Sequence, residues 1–215
     1  MIKSLVVEKN DIVIPEFIGK VQMEAFAVSG SYSLRLMTSV RVKKELFDEA
    51  ILSMMENIEP VGKTAWITIH GEKLKKGDIL RRPGKHIDGR YDPDIFDWTC
   101  DTVDFNEYLE KKAPPVDSKF HQVLYNSSMG GILLASNYSA CLGYVGEFEG
   151  TAGLGGDCEH IKVNDPIRLK ANKVYYGNST FIHESIPVEE DVCRVVVRIT
   201  LPRNHIYDTS RIISK

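Results

Sequence analysis

The sequence predicts a mainly β protein, an antiparallel barrel or sandwich with one long helix. Many short runs rich in Val, Ile, Leu and Tyr are separated by Gly, Pro, Asn and Asp, which is the pattern of strands joined by turns. The runs follow one another too closely to leave room for the crossover helices that a parallel sheet requires. Only one long segment has helical instead of strand periodicity.

The predicted strands recur along most of the chain, and each is four to nine residues long. They are SLVVE (4–8), DIVIP (11–15), AWITIHG (65–71), HQVLY (121–125), GILLAS (131–136), CLGYVGEF (141–148), HIKV (160–163), PIRLKA (166–171), KVYYG (173–177) and CRVVVRITL (193–201). Because successive side chains of a strand point to opposite faces, Tyr175 and Tyr176 should lie on different sides of the sheet.

One amphipathic helix is predicted over residues 42–57, and it ends before Pro60. Its apolar residues recur at helical spacing: Val42, Leu46, Ala50, Ile51, Met54 and Met55. A stripe of this kind usually packs against a core. We therefore expect the helix to buttress the sheet rather than to bind a partner.

Charge and hydropathy exclude some classes of protein. The chain has 215 residues and a formal net charge of -3, with both signs interspersed, so it has no basic stripe for nucleic acid. No segment approaches the about 20 apolar residues that cross a bilayer. Four cysteines without Cys-x-x-Cys spacing predict free thiols in a reducing compartment. The sequence thus predicts a cytoplasmic protein without a membrane or nucleic-acid partner.

We predict a single domain, 1–215. Residues 1–63 would pack as strands and a helix on a barrel, residues 64–202 would form the barrel with insertions, and residues 203–215 would be a C-terminal tail. One insertion, 89–119, is acidic and aromatic. The other, 146–160, is rich in glycine but lacks the lysine and the following helix of a phosphate-binding loop, so we expect a surface loop or lid.

Candidate metal ligands occur in the segment HIDG. On an extended strand, His86 and Asp88 project to the same side and Ile87 to the other. His-x-Asp occurs often by chance, and a polar surface pair between glycines is the alternative interpretation. A third candidate, His183, changes the balance, because two histidines and a carboxylate can hold iron(II) on one face. Cys158 and His160 could make half a zinc site, but the sequence offers no second pair at ligand spacing.

The strand CRVVVRITL has two cations on one face. One face of this strand carries Arg194, Val196 and Arg198. The opposite face carries only apolar residues. If the arginines faced a barrel interior they would need anionic partners, because an unpaired buried charge is costly. A small dicarboxylate would meet that need, since a guanidinium binds a carboxylate through two parallel hydrogen bonds.

The order of these residues resembles the 2-oxoglutarate/iron(II)-dependent oxygenase superfamily. The resemblance covers about residues 64–202 and is carried by HIDG, by IHESIPV and by an arginine on the strongly β-forming strand that follows. It implies a double-stranded β-helix, a jelly-roll or cupin-like barrel. It also implies His86, Asp88 and His183 as iron ligands and catalytic residues, and Arg194 as the anchor of 2-oxoglutarate. Arg198 would be the second choice for that anchor, or a contact to the prime substrate.

By the same resemblance, the chain would be an oxidoreductase, a hydroxylase-type dioxygenase with Fe(II) as cofactor, 2-oxoglutarate as cosubstrate and an unidentified prime substrate. The insert around Trp98, Tyr108 and Phe120 would lie where substrate-covering loops often occur, and the inward tyrosine of Tyr175 and Tyr176 could touch the cosubstrate.

Two alternatives stay open at this stage. One is a non-catalytic jelly-roll binding or structural protein, such as a component of a virus particle, that keeps the barrel and the metal site. The other is a cupin-type isomerase or sugar-binding protein, which the sequence favours less because cupins usually bring His-x-His and Glu to the metal. The sequence does not decide between a monomer, a homo-oligomer and a larger assembly.

Overall fold

The structure is a computed structural model that describes residues 1–28, 31–36, 44–56, 58, 64–88, 131–153 and 156–201. In these residues the elements are β1 (Ile2–Ser4), β2 (Val6–Asp11), β3 (Gly19–Val28), β4 (Ser31–Leu36), α1 (Lys44–Met55), β5 (Thr64–Leu74), β6 (Ile132–Ser136), β7 (Cys141–Tyr144), β8 (Gly146–Phe148), β9 (Ile167–Leu169), β10 (Lys173–Gly177), β11 (Ile182–Ser185) and β12 (Val192–Thr200).

The described strands form a large sheet, a small sheet and a two-stranded ribbon. The large sheet has the order β2-β10-β6-β12-β5-β3-β4, the small sheet has the order β11-β7-β9, and β1 pairs with β8. Every ladder between these strands is antiparallel. His86 adds an antiparallel bridge to His183 on β11, so the segment that carries it extends the small sheet.

The chain alternates between the two sheets from β5 onward. From β5 in the large sheet it passes to the His86 segment in the small sheet, and it returns to the large sheet at β6. It then forms β7 and β9 in the small sheet and β10 in the large sheet. Finally it crosses to β11 in the small sheet and returns to β12 in the large sheet. Two interleaved sheets with this strand order make a double-stranded β-helix, a jelly-roll barrel. The fold predicted for the chain is confirmed.

Strand β12 separates two apolar clusters. Val195, Val197 and Ile199 belong to a helix cluster that lies between the large sheet and α1. Val196 belongs to a barrel cluster inside the double-stranded β-helix, and Arg194 and Arg198 line a cavity on the same side. The alternation of faces predicted for this strand is confirmed. The same alternation places Tyr175 in the barrel cluster and Tyr176 in the helix cluster, as predicted.

Helix α1 covers the outer face of the large sheet. Its residues Phe47, Ala50, Ile51 and Met54 are buried in the helix cluster, and Met55 packs against that cluster while partly exposed. The predicted role of the apolar stripe as core packing is confirmed for these residues. The described helix, Lys44–Met55, lies within the predicted 42–57; Glu56 is already in a turn, and residues 42, 43 and 57, with the predicted apolar residue Val42, lie outside the described residues.

Two of the predicted strands are not strands in the structure. The segment DIVIP leaves the ladder after Asp11, and Ile12 and Ile14 are buried in the helix cluster instead. The segment HIKV is a turn whose Ile161 is buried in a third apolar cluster. In both segments the apolar residues are buried without strand pairing. Hydrophobic periodicity in the sequence cannot distinguish such a segment from a strand. The predicted strand 121–125 lies outside the described residues.

Strands β3 and β4 were not predicted. Strand β3 contains Gln22, Met23, Glu24 and two alanines, which have weak β propensity. Its pairing with β5 extends from Gly19 opposite Gly71 to Phe26 opposite Thr64. Tertiary pairing therefore outweighs local preference here.

No helix in the described residues is long and apolar enough to cross a membrane. The division of the chain into one domain stays a prediction.

Adjacent residues of α1 allow a test of its packing. Ile51 is fully buried in the helix cluster, whereas the side chain of Leu52 is 49% exposed. Ile51→Ala should lower the free energy of unfolding by about 2 to 5 kcal/mol, because it leaves a cavity against the sheet. Leu52→Ala, the control, should change it by about 0.5 kcal/mol or less. Urea denaturation measures both, and equal losses would contradict the described orientation of the helix.

Candidate metal centre

Two histidines from distant parts of the sequence meet through their backbones. His86 N–H donates to the carbonyl of His183 at 3.0 Å, and His183 N–H donates to the carbonyl of His86 at 2.9 Å. A directly opposed pair on antiparallel strands carries its side chains on the same face. The ring centroids are accordingly 4.7 Å apart. Strand pairing thus brings together the two imidazoles that the sequence predicted as ligands.

The same nitrogen of each imidazole is engaged by the backbone. Nδ1 of His86 lies 2.7 Å from the carbonyl oxygen of Gly84, and Nδ1 of His183 lies 3.1 Å from that of Phe181. A carbonyl oxygen only accepts hydrogen bonds, so Nδ1 must carry the proton in both rings. The lone pair is then on Nε2, which is the tautomer that a metal ligand needs.

Asp88 completes the cluster through its two carboxylate oxygens. Its Oδ1 accepts a hydrogen bond from Nη1 of Arg198. Its Oδ2 is buried, has no hydrogen-bond partner among the described residues, and lies 3.6 Å from Nε2 of His183. Buried carboxylate oxygens are almost always satisfied, so this one indicates a missing partner. Ligand atoms of His86, Asp88 and His183 all lie within 4.8 Å of one another.

The protonation states of the cluster suit a divalent cation. Burial, reinforced by the neighbouring His183, lowers the pKa of His86 to about 4. Burial also lowers the pKa of His183, despite the attraction of Asp88. Burial alone would raise the pKa of Asp88, but the positive charges of Arg198 and Arg81 hold it well below its usual range. At neutral pH the cluster therefore offers two neutral imidazoles and a carboxylate, the combination that binds Fe(II).

An aromatic ring fixes the position of His183. Phe181 stacks on the His183 ring with centroids 5.3 Å apart and planes inclined by 18°. Glycines at 143 and 177 leave space for this ring, because a Cβ at either position would come within 2.6 Å of it. Gly143 is also the direct ladder partner of His183. Small residues on two strands thus allow one ring to hold the distal histidine in place.

The glycine-rich insertion supports the His86 segment from the other side. Ile87 N–H donates to the carbonyl of Gly156 at 2.8 Å, and Cys158 N–H donates to the carbonyl of Lys85 at 2.9 Å. Gly156 has φ +76°, and a Cβ there would lie 2.2 Å from the carbonyl oxygen of Ile87. The sequence predicted a surface loop or lid at 146–160. The structure shows that part of this insertion pairs with the segment that carries two of the candidate ligands.

A second charged centre lies in the same cavity. Arg194 is only 1% exposed, and its Nε and Nη1 atoms are buried without a hydrogen-bond partner in the described part of the chain. The cavity is also lined by His86, Asp88 and His183. The neighbouring Cys141 cannot neutralise the guanidinium, because burial raises the pKa of its thiol to about 12.

The two arginines of β12 have different surroundings. Arg198 donates to Asp88 and lies 3.5 Å, through Nη2, from Oγ1 of Thr68, its ladder partner on β5. Arg194 has no such carboxylate among the described residues. Arg198 therefore neutralises a candidate metal ligand, and Arg194 is the guanidinium that still requires an anion.

Other residues considered in the sequence lie away from this centre. His160 contacts the carbonyl of Thr151 at 2.9 Å through Nε2, and the thiol of Cys158 donates to the carbonyl of Gly156 at 3.4 Å. Among the described residues, His86, Asp88 and His183 form the one cluster that could hold a metal. Cys141, Cys158 and Cys193 are free thiols, as predicted. Trp98, Tyr108 and Phe120, around which a substrate-covering loop was predicted, lie outside the described part of the chain, as do Cys100, His121 and His205.

Two contributors to the site were not found from the sequence. Arg81 lines the cavity, and Gly156 receives the backbone of Ile87. Arg81 lies only five residues before His86, but arginine at a predicted turn is ordinarily a solvated residue. Gly156 is one of several glycines in its segment, and nothing local distinguishes the one that needs a left-handed backbone and close approach.

Comparison with known proteins gives matches among solved structures only. No protein-family model and no curated protein matches the sequence. The ribosomal oxygenase YcfD of Escherichia coli in complex with cobalt and 2-oxoglutarate matches with 11% identity and a TM-score of 0.39 over 94% of this chain and 49% of that chain. YcfD with cobalt and succinic acid matches with 10% identity and a TM-score of 0.39 over 97% and 49%. A further YcfD structure has 9% identity and a TM-score of 0.37 over 94% and 49%.

The chain thus spans about half the length of the solved structures that it matches. The interleaved strand order and the joining of a His-x-Asp segment to a distal histidine are visible in the structure itself. They agree with the double-stranded β-helix that the resemblance implied.

Gly156 provides a test of how the insertion supports the site. Gly156→Ala should lower the affinity for Co(II) by about tenfold, within the range for groups that orient metal ligands, because the methyl group would displace the Ile87 carbonyl. The control is Gly77→Ala. Gly77 also has a left-handed backbone, with φ +95°, but a Cβ there would meet no atom within 4 Å.

Both substitutions carry the same kind of backbone strain, so their difference isolates the contact with Ile87. Spectrophotometric Co(II) titration measures the two affinities. Equal losses in the two variants would show that the insertion does not position the ligands.

Proposed function

We propose that this chain is a non-heme iron(II)- and 2-oxoglutarate-dependent oxygenase of the hydroxylase type. The observation that carries the proposal is the buried guanidinium of Arg194, whose Nε and Nη1 have no partner in the described part of the chain, in the same cavity as the cluster of His86, Asp88 and His183. A metal cluster alone would fit many functions. A metal cluster together with a buried site for an anion specifies a cofactor and an organic acid that bind side by side.

The proposed iron ligands are Nε2 of His86, Nε2 of His183 and the carboxylate of Asp88. Support comes from the unsatisfied Oδ2 of Asp88 and from the backbone hydrogen bonds that fix both imidazole tautomers. When bound, Fe(II) would supply the activation of dioxygen, which is coupled to the decarboxylation of 2-oxoglutarate to succinate and to oxygen transfer to the substrate. The chain contributes the ligand geometry and the neutral state of both histidines.

The proposed role of Arg194 is to bind the carboxylate of 2-oxoglutarate that is remote from the metal. A guanidinium buried to this extent without an anion costs several kcal/mol. A bidentate carboxylate would provide charge and hydrogen bonds together. Arg198 is less suited to this role because Asp88 already occupies its Nη1. Its hydrogen bond instead keeps Asp88 ionised and oriented.

The walls between the two charged centres are mainly apolar. Leu134, Leu169 and Val196 belong to the barrel cluster and also line the cavity. Tyr175 lines it as well, and its hydroxyl accepts a hydrogen bond from Lys170 N–H at 2.9 Å. An apolar surface of this kind limits water around the reacting groups, and the low dielectric strengthens the attraction between Arg194 and a carboxylate.

Two substitutions should separate the proposed metal site from the proposed cosubstrate site. Asp88→Ala removes a ligand, so it should abolish stoichiometric Fe(II) binding and succinate formation. Arg194→Gln leaves the three ligands in place. It should keep Fe(II) binding and raise the 2-oxoglutarate concentration for half-maximal succinate release by roughly ten- to a hundredfold, the value of a lost charge-assisted hydrogen bond.

Iron content under anaerobic conditions and succinate release measure these effects, and circular dichroism checks that each variant is folded. Full iron occupancy in Asp88→Ala would refute the ligand assignment. Iron binding without succinate release in the unmodified protein, at any 2-oxoglutarate concentration, would favour the non-catalytic jelly-roll protein instead.

A further inference from the structure

We propose that Arg81 binds an anionic group, a carboxylate or a phosphate, of the molecule that is oxidised. The inference rests on the proposed function, because it assigns the substrate class of the same cavity. Among the described residues, three arginines line that cavity, namely Arg81, Arg194 and Arg198. The proposed function uses the other two, one for the cosubstrate and one for Asp88, and leaves Arg81 without a role.

Arg81 is held in place by its neighbours on both sides. Leu80 is fully buried in the barrel cluster, and Pro83 forms a bridge to Ser185 at the end of β11. The chain between these two points is only two residues long. Arg81 lines the cavity, whereas the next residue, Arg82, is exposed to solvent. The fold therefore selects one of two adjacent arginines for the interior.

The backbone at Arg81 is in a conformation that an arginine rarely adopts. Its φ is 72°, in the left-handed region that favours glycine and asparagine. Backbone strain of this kind persists where the surrounding structure imposes it, and it is concentrated at functional sites. Arg81 lies shortly before the segment that carries His86 and Asp88. Its left-handed backbone occurs together with a guanidinium that lines the cavity of the candidate metal cluster.

Arg81 has no hydrogen bond and no ion pair in the described residues. The other cations of the cavity do have partners there. Arg198 is bonded to Asp88, and Nζ of Lys170 and Nζ of Lys173 lie 3.6 and 3.3 Å from carboxylate oxygens of Glu8. Apart from Arg194, for which the cosubstrate is the proposed partner, Arg81 is the lining arginine that makes no hydrogen bond or ion pair with a described residue.

The surroundings of Arg81 favour an added anion. Burial and the repulsion of Arg198 lower the pKa of Arg81, and the opposing attraction of Asp88 does not outweigh them. A divalent metal would increase the positive charge nearby. The two carboxylates of 2-oxoglutarate would be used by the metal and by Arg194. A negative group on the substrate would then compensate the remaining charge, and a guanidinium fixes the orientation of a carboxylate or phosphate through paired hydrogen bonds.

The test uses small anions as probes of this position. The protein is loaded with Co(II) and saturating 2-oxoglutarate, and acetate and methyl phosphate are titrated in separate calorimetric experiments. Arg81→Asn removes the charge with the side chain that best tolerates the left-handed backbone. It should weaken binding of at least one probe by roughly ten- to a hundredfold. Arg82→Asn, on the exposed neighbour, should leave both affinities unchanged, and Arg81→Lys should recover part of the loss.

The outcomes separate this inference from the proposed function. If Co(II) and 2-oxoglutarate bind but neither anion binds the loaded unmodified protein, or if Arg81→Asn and Arg82→Asn weaken the probes equally, the role of Arg81 is refuted and the proposed function stands. A loss of 2-oxoglutarate affinity in Arg81→Asn, with probe binding intact, would also refute it, because Arg81 would then serve the cosubstrate. Failure of the unmodified protein to bind Co(II) and 2-oxoglutarate would refute both.

Discussion

Charge compensation inside the barrel is the constraint on which the site depends. A barrel of this size ordinarily fills its interior with apolar side chains. Here the interior holds a buried carboxylate, a fully buried guanidinium and two imidazoles. Asp88 and Arg198 compensate each other, whereas Oδ2 of Asp88 and the Nε and Nη1 atoms of Arg194 have no hydrogen-bond partner among the described residues. The first suits a cation and the second an anion, which is the basis of the proposal of a metal and an organic acid in one cavity.

The fold tolerates charged groups in the barrel interior because it separates the two faces of β12. Val195, Val197 and Ile199 supply apolar burial beneath α1, while Arg194 and Arg198 point into the cavity. The outer face therefore contributes stability that does not depend on the charged inner face. Backbone pairing between residues 86 and 183 fixes the two histidines independently of any metal. The candidate ligands are thus preorganised by the sheet, so that binding of the proposed cation would require little rearrangement of the chain.

Much of this arrangement follows from short-range rules. Alternation along a strand correctly predicted that Arg194 and Arg198 share a face, and that His86 and Asp88 project to the same side. Helical spacing correctly located α1. Long-range packing could not be deduced in this way. Strand β3 exists because β5 lies beside it, and Ile12 is buried without joining a ladder. Likewise, the backbone angle of Arg81 and the contact of Gly156 with Ile87 depend on segments that only the folded chain brings together.

The central claim is that one cavity binds a metal and an organic diacid next to each other. Anaerobic addition of Fe(II) and 2-oxoglutarate to the purified protein tests it most directly. Chelation of the metal by the keto acid should produce a visible metal-to-ligand charge-transfer absorption band that requires both components. The absence of that band at saturating concentrations of both, in protein that is folded by circular dichroism, would contradict the account.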